Sequence, residues 1–397
     1  MKYSYNNKNS LKKVQKVLES EKVNYWTGKE GISFEKQFSK YVGNKYSVAV
    51  SNGSVALELA LRALDLKKGD KVIVTPRSFI ISASCVLNLG LEVVFADVND
   101  NGNLSIEGIA KVYQKKVKAI IVVHLNGLVC DLDPIIKFTK KNKIFLIEDC
   151  SQAHGARYKN RSAGSFGDVS TWSFCQDKII STGGEGGMIS TNNKNIWQKC
   201  WSYKDHGKNY QKTFYKKYKT GFRWLHDQLG SNYRLTEIQA TLGQEQLKNL
   251  DKQIKKRNQI ANLYIKQLKF FWTNHDLLKK PIFTCSTCPL KNKINKKCDR
   301  CKHAFYRLNL FINPKKIKQI QLIHDLNVKN ISCGVGSCPE IYREKIFKKL
   351  KAYPKKRLIN AKLLGESSIM FPIDPSKSLL ILKKEISHIK KMLTRYL

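Results

Sequence analysis

The chain has 397 residues, of which 42% are hydrophobic, and it carries a formal net charge of +41. That length predicts at least two domains, whereas no apolar run is long enough to cross a bilayer. The N-terminus lacks the apolar stretch of a signal peptide, and the eleven cysteines favour reduced thiols or a metal site over a disulfide framework. We therefore expect a soluble, cytoplasmic protein with no membrane partner.

The positive charge has two interpretations. One is an anionic partner such as a nucleotide-linked substrate, a nucleic acid or an acidic membrane surface. The other is a lysine-rich, solvated surface, and we favour it because lysines occur throughout the chain. The charge therefore does not identify the chemistry.

Helical patterns at Leu11–Leu18 and Phe34–Tyr41 precede a regular alternation of apolar and amphipathic segments. The predicted strands are Ser47–Val50, Lys71–Thr75, Glu92–Ala96, Ala119–Val123, Ile144–Glu148 and Val169–Phe174. The amphipathic segments between them include Ser54–Leu64, Ile80–Leu89 and Leu132–Lys140. This alternation predicts an α/β fold with a mostly parallel sheet and helices on both faces. Ligands of such sheets bind beyond the carboxyl ends of the strands.

Residues at three predicted strand ends are candidates for ligand binding or catalysis. Ser51–Ser54 begins a helix, which indicates either a phosphate site or an ordinary N-cap. Asp149 ends a buried strand, where it either caps the next turn or pairs with a cation. Lys178 follows the strand Val169–Phe174 and precedes the glycine-rich run Gly183–Gly187. A phosphate site, a buried carboxylate and an amine together are what pyridoxal phosphate (PLP) needs, since the lysine forms a Schiff base with it.

Several motifs carry a resemblance to a known family. They are SNGSVALELALRALDLKKGDKVIV, HLNG, EDCSQAHGARYKNRSAGSFGD, SFCQDKIISTGGEGGM, DHG and GSNYRLTEIQATLG. In this order they resemble the DegT/DnrJ/EryC1/StrS family of PLP-dependent aminotransferases, which act on nucleotide-linked keto-sugars. The later segment GSCPEIYREKIF is similar to a subgroup used in surface polysaccharide synthesis, lipopolysaccharide included. The resemblance implies a fold-type-I aminotransferase that works as a homodimer with shared active sites.

The resemblance also implies a role for each matching residue. Lys178 would be the covalent attachment point, and Asp149 would pair with the pyridine nitrogen of the cofactor. The other implied cofactor contacts are Gly53, Ser54 and Ser173 at the phosphate, Phe79 stacked on the ring, Gln152 near the ring oxygen, and Asn232 at the phosphate of the neighbouring subunit's cofactor. Arg234 would bind the carboxylate of the amino donor.

Some of these residues have ordinary structural interpretations as well. Phe79 alone is more typical of a core residue, and Ser173 could be a strand-end hydroxyl bonded to backbone. Cys150 and Cys175, beside the proposed site, are expected to pack rather than react.

The implied mechanism uses glutamate as amino donor. Lys178 would be both the covalent tether and the general base, so it must lose its proton, and a desolvated site near other cations would favour that loss. Relatives that remove a sugar hydroxyl carry histidine in place of this lysine, so transamination is favoured over dehydration. The alternatives are a PLP-fold sugar dehydratase, a non-catalytic regulatory relative, and a basic, zinc-containing nucleic-acid binder.

The predicted domains are a large PLP-binding α/β domain over residues 26–250 and a small α+β domain over 251–397. Residues 1–25 are predicted to pack on the small domain. A loop at 282–303 contains two CxxC pairs formed by Cys285, Cys288, Cys298 and Cys301. Two such pairs can supply a tetrahedral sulfur site, so we predict a structural zinc ion there, with four reduced thiols as the alternative.

Overall fold

The computed structural model of the protein describes residues 8–281 and 300–397. The helices are α1 (Lys8–Glu19), α2 (Glu30–Val42), α3 (Gly53–Arg62), α4 (Ile81–Asn88), α5 (Ile106–Val112), α6 (Leu132–Asn142), α7 (Lys194–Tyr203), α8 (Tyr210–Phe214), α9 (Glu237–Lys248), α10 (Leu250–Leu268), α11 (Phe270–Thr273), α12 (Gln319–Val328), α13 (Lys345–Lys349), α14 (Ile359–Ser367) and α15 (Leu379–Thr394). The strands are β1 (Tyr46–Val50), β2 (Lys71–Val74), β3 (Glu92–Phe95), β4 (Val117–Val123), β5 (Phe145–Asp149), β6 (Arg157–Tyr158), β7 (Arg161–Ser162), β8 (Val169–Ser173), β9 (Gly187–Thr191), β10 (Arg307–Phe311), β11 (Gly334–Val335) and β12 (Ser368–Pro372).

Seven strands form the central sheet in the order β1-β9-β8-β5-β4-β2-β3. β9 runs antiparallel to both of its neighbours, and the other pairs of this sheet are parallel. The predicted mostly parallel α/β sheet is therefore confirmed. Each of the six predicted strands matches an observed strand to within two residues at either end.

Both faces of the central sheet are covered. In β4, Ile120 and Val122 pack into one hydrophobic core, and Ala119 and Ile121 pack into a second core on the other face. Successive side chains of a strand point to opposite faces. The sequence of a strand that is buried on both sides is therefore a continuous apolar run. α2 contributes to the first core and α3 to the second.

A second sheet lies beyond residue 300. Its order is β10-β12-β11, and both pairs are antiparallel. A third hydrophobic core packs this sheet against α10, α12 and α15, through residues such as Tyr264, Leu322, Ile369 and Ile386. α9 ends and α10 begins next to the predicted domain boundary, so we keep the division at 250 and 251 as a proposal.

The position of the first helix differs from the prediction. α1 packs against α9, which precedes the predicted boundary. Asn9 and Lys13 both donate hydrogen bonds to Glu245 of α9, whose side chain is only 6% exposed. The amphipathic pattern predicted the helix correctly, but such a pattern does not specify which surface the helix contacts.

Within the two described ranges, no helix has the length and apolar character that a membrane crossing requires.

Candidate active site

Predicted site residues from different strands lie at one edge of the central sheet. β5 ends at Asp149 and β8 ends at Ser173, and these two strands are parallel, with Asp149 opposite Thr171. Gly187, the first residue of β9, pairs with Ser173 on one side and with Val50 at the end of β1 on the other. The carboxyl ends of β1, β5 and β8 therefore meet at one edge, as predicted.

The start of α3 forms one wall of this edge. Asn52 is the N-cap residue, because its Oδ1 accepts a hydrogen bond from the amide of Val55 at 2.9 Å. The exposed Ser54 is thus not required as a cap. A Cβ atom on Gly53 would lie 2.6 Å from the Cβ of Ser173, so only glycine permits this close approach. The first amides of a helix attract an anion, and this arrangement suits a phosphate group.

Asp149 and Gln152 lie in the turn after β5. Asp149 is 4% exposed, and its Oδ1 accepts a hydrogen bond from the amide of Ser151 at 3.0 Å, so its turn-capping role is present. A neutral amide does not balance a buried carboxylate, and a cationic ligand group would stabilise it. Gln152 Oε1 accepts from the amide of Asn126 at 2.7 Å. That contact leaves the NH₂ group of Gln152 as the donor for a ligand oxygen.

Lys178 lies in the turn after β8, and its side chain is 17% exposed. Its Nζ is 3.1 Å from Oδ1 of Asp177 and 5.3 Å from the centre of the Tyr306 ring. Burial lowers the pKa of Lys178, but Tyr306 and Asp177 outweigh that effect, and the pKa is raised overall. In this arrangement the ion-pair partner of Lys178 is an acid, which favours the protonated amine.

The residues around Lys178 were missed by the sequence reasoning. The Tyr306 hydroxyl donates a hydrogen bond to Oδ2 of Asp177, and Nη2 of Arg307 is 3.9 Å from the same oxygen. The Arg307 guanidinium also lies 4.7 Å from the centre of the Tyr306 ring. Tyr306 is 129 residues from Asp177, and no spacing pattern predicts a contact over that distance. The one available sequence signal was that Asp177 directly precedes Lys178.

Arg234 and Asn232 lie near the end of β1. Arg234 pairs with Val50 in an isolated β-bridge, and its Nη1 is 2.7 Å from Oδ1 of the fully buried Asp205. The other oxygen of Asp205 has no hydrogen-bond partner among the described residues. Asn232 forms a bridge with Asp205 and is exposed. An exposed position is compatible with a role toward a neighbouring subunit.

Phe79 is 69% exposed in the loop between β2 and α4. Its interpretation as a core residue is therefore wrong. An exposed aromatic ring beyond the carboxyl end of a strand is available to stack on a planar ligand.

A buried acid and a buried histidine, Glu148 and His124, lie at the ends of β5 and β4, and the sequence reasoning missed their contact. Nδ1 of His124 accepts from the amide of Cys130 at 3.2 Å, so Nε2 carries the proton that it donates to Glu148 at 2.9 Å. The carboxylate of Glu148 also accepts from the amides of Gly164, Phe166 and Gly167. Cys150 brings a third ligand atom within 4.8 Å, but the His124 nitrogens and Glu148 oxygens already have partners. This group stabilises the fold and does not suggest a metal centre.

Cys150 and Cys175 have the environment of packing residues. Burial raises the pKa of each thiol. A thiol is nucleophilic as the thiolate, so neither position favours reactivity.

Comparisons with known proteins give one consistent result. Residues 4–384 match the model of the DegT/DnrJ/EryC1/StrS aminotransferase family. A GDP-perosamine synthase of Escherichia coli O157:H7 is 38% identical over 236 residues, which are 59% of this chain and 62% of that protein. The matched part is thus less than two thirds of the length of that relative.

Two solved structures are similar over nearly the whole chain. An aminotransferase from Psychrobacter cryohalolentis is 40% identical, with a TM-score of 0.92 and 98% of each chain covered. An E. coli GDP-4-keto-6-deoxy-D-mannose-3-dehydratase with bound hydrated PLP is 27% identical, with a TM-score of 0.82. In that case 98% of this chain and 97% of the other are covered. The fold-type-I architecture is therefore confirmed.

The predicted zinc site falls mostly outside the described residues. Cys285, Cys288 and Cys298 belong to residues 282–299, and Cys301 packs against the hydrophobic core that contains Ile120 and Val122. The comparisons lend no support to zinc, and this site stays a prediction.

Proposed function

The chain belongs to the DegT/DnrJ/EryC1/StrS aminotransferase family, and from that premise we propose that it converts a nucleotide-linked keto-sugar into an amino-sugar with PLP as cofactor. The observation that carries the proposal is the position of Lys178 beside the sheet edge that also holds Asp149 and Gly53. The solved relative with bound PLP supports the choice of cofactor.

The start of α3 fits the phosphate group of PLP. Gly53 and Ser54 would bind it through backbone amides and a hydroxyl, and the side chain of Ser173 lies against Gly53. Because Gly53 has no Cβ, the helix start lies in contact with Ser173, so backbone amides and a hydroxyl would face the phosphate together. Asn232 of a second copy would complete the phosphate site.

The turn after β5 fits the ring of PLP. A protonated pyridine nitrogen would balance the buried charge of Asp149. The NH₂ group of Gln152 would face the ring oxygen, and Phe79 would cover one face of the ring.

The chain would contribute to the reaction mainly through Lys178. When bound, PLP supplies an aldehyde for covalent attachment and a ring that withdraws electrons. Nζ of Lys178 would form that attachment. Once the amino group of the donor displaces it, the freed amine would take a proton from the α-carbon of the donor and return it at the next step. Arg234 would bind the donor carboxylate through two parallel N–H groups, sharing its guanidinium with Asp205.

Glutamate is the proposed amino donor, and a homodimer is the proposed assembly. Both follow from family resemblance, as does a place in surface polysaccharide synthesis. The name of the E. coli relative, GDP-perosamine synthase, supports a nucleotide-linked sugar as substrate class.

Dehydration of a keto-sugar is the second candidate, since one similar structure is a 3-dehydratase. By family resemblance, dehydratases carry histidine where this chain has Lys178. A lysine can form the covalent attachment that transamination uses, so transamination is favoured.

The test is attachment of PLP to Lys178. We expect borohydride reduction of the protein with PLP to add the cofactor mass to the Lys178 peptide, and glutamate to bleach the visible band. Lys178→Ala should lose both the covalent mass and the bleaching. Lys383→Ala, at an exposed position of α15, is the matched control and should behave like the wild type. A colourless protein that takes up no added PLP would overturn the proposal.

A further inference from the structure

We propose that Asp177 holds the amino group of Lys178 whenever this amine is not covalently bound, and that Tyr306 positions Asp177 for this task. The inference deepens the proposed function, on which it rests. It makes Asp177 and Tyr306 positioning residues that act through Lys178.

Asp177 is fixed through both of its carboxylate oxygens. Oδ1 lies 3.1 Å from Nζ of Lys178, and Oδ2 accepts the hydrogen bond of the Tyr306 hydroxyl. The Arg307 guanidinium lies 3.9 Å from Oδ2. Although the Asp177 side chain is 45% exposed, contacts on two sides restrict its rotation and keep Oδ1 directed at the amine.

Tyr306 is itself held by backbone contacts. Its amide donates to the carbonyl of Asn126 at 3.0 Å, and the amide of Ala304 donates to Gly127 at 2.9 Å. These bonds tie the start of β10 to the turn after β4, at the same edge of the central sheet. Tyr306, the residue before β10, thus reaches Lys178 from a defined position.

The charges around Lys178 are consistent with a stable ammonium–carboxylate pair. Burial raises the pKa of Asp177, but the Tyr306 hydrogen bond, Lys178 and Arg307 outweigh it, so the pKa is lowered. Asp177 is therefore ionised at neutral pH. Among the described residues, Tyr306 and Cys175 also act on Lys178, and His154 is influenced by it. Burial, together with Lys178 and Arg257, lowers the pKa of His154 to about 3, so that ring stays neutral.

The pair has a consequence for covalent capture of an aldehyde. The ammonium of Lys178 must first release one proton to solvent. The free amine then forms a C=N bond with the aldehyde carbon, and the aldehyde oxygen leaves as water with the two remaining amine protons. Asp177 stabilises the ammonium and so slows capture at neutral pH, while it keeps the released amine next to the reacting atoms.

The test measures Lys178 directly, without cofactor. Competitive labelling of the cofactor-free protein with acetic anhydride across pH, read by mass spectrometry of the Lys178 peptide, reports the titration of this one amine. We expect Asp177→Asn to move the titration to lower pH, and Tyr306→Phe to move it in the same direction by less. In stopped-flow absorbance, Asp177→Asn should capture PLP faster at pH 7, on the order of threefold to tenfold, because the rate follows the unprotonated fraction.

Asp133→Asn is the matched control, since it removes an equally exposed carboxylate that pairs with Lys159 away from the site. It should leave the Lys178 titration unchanged. An unchanged titration in folded Asp177→Asn overturns the inference, and an unchanged titration in Tyr306→Phe overturns the positioning role. Failure of the wild type to take up PLP would overturn the proposed function instead. The labelling result would still show whether Asp177 stabilises the ammonium of Lys178.

Discussion

At the scale of single residues, Gly53 shows how one side chain sets the shape of the site. It begins α3 and lies against Ser173, the last residue of β8. The absence of a Cβ lets a helix start and a strand end approach each other. The result is a cradle of backbone amides beside a hydroxyl.

We expect Gly53→Ala to lower the free energy of unfolding by about 1–3 kcal/mol, because the new methyl group overpacks against Ser173. It should also weaken PLP retention, measured as loss of visible absorbance on dilution. Gly334→Ala is the control, since a Cβ there meets no atom within 4 Å. Equal PLP retention in the two variants would contradict the phosphate assignment.

Glu148 shows how a buried charge depends on the contacts of a single side chain. Burial raises its pKa, but His124 and the amides of Gly167 and Gly164 outweigh that effect, so the pKa is lowered. A carboxyl with a lower pKa in the folded state adds stability above its unfolded pKa, and this stability is lost as the pH falls through the folded value. The acid therefore stabilises the protein at neutral pH.

We expect Glu148→Gln to cost about 3–5 kcal/mol of unfolding free energy at pH 7, because an amide NH₂ would face backbone donors. Urea unfolding at pH 7 and pH 4 is the measurement. The wild type should lose stability on acidification, and the variant should lose less. Glu58→Gln, which breaks the partly exposed pair with Arg62, should have little effect. A Glu148 variant as stable as that control would show that the buried pair is dispensable.

At the scale of elements, the start of α3 uses one residue to cap the helix and other residues to bind a ligand. Asn52 satisfies one amide of the first turn through its side chain. The cap leaves the earlier amides and Ser54 for a ligand. Capping and phosphate binding therefore share one helix start but use different residues.

We expect Asn52→Ala to cost about 0.5–2 kcal/mol of stability through loss of the cap. It should also weaken PLP binding, since fraying of the first turn displaces the phosphate cradle. Ser378→Ala removes the cap of α15 and should lower stability without changing PLP affinity. Thermal unfolding and a PLP titration by absorbance, run on both variants, test this. Equal PLP affinities would mean that the cradle does not depend on the cap.

At the scale of the whole molecule, an exposed apolar segment follows α8. Phe222 is 76% exposed, Trp224 is 79% exposed and Leu229 is 90% exposed. The segment leads directly to Asn232 and Arg234. Covering it with a second copy would bury these side chains and bring Asn232 toward the neighbouring site, as the proposed homodimer requires.

We expect light scattering to give twice the chain mass for the wild type. The double variant Phe222→Ser, Trp224→Ser should shift toward the monomer, because about 25 cal/mol is lost for each Å² of apolar surface that the interface buries. Leu379→Ser, Leu380→Ser removes two residues of similar exposure on α15 and should stay dimeric. A monomeric wild type would contradict the assembly.

The sequence alone predicted six of the seven strands of the central sheet and five of the fifteen helices in the described residues, and it singled out Lys178 and Asp149 as candidate site residues. Those features depend on local periodicity and on motif spacing, which short stretches of chain encode. The tertiary structure decided that α1 packs against α9, that Phe79 is exposed, and that Asp177 joins Lys178 to Tyr306. A contact across 129 residues arises only when the segment before β10 packs against the turn after β4, because the apolar pattern of a segment indicates its burial but not which distant residues it contacts.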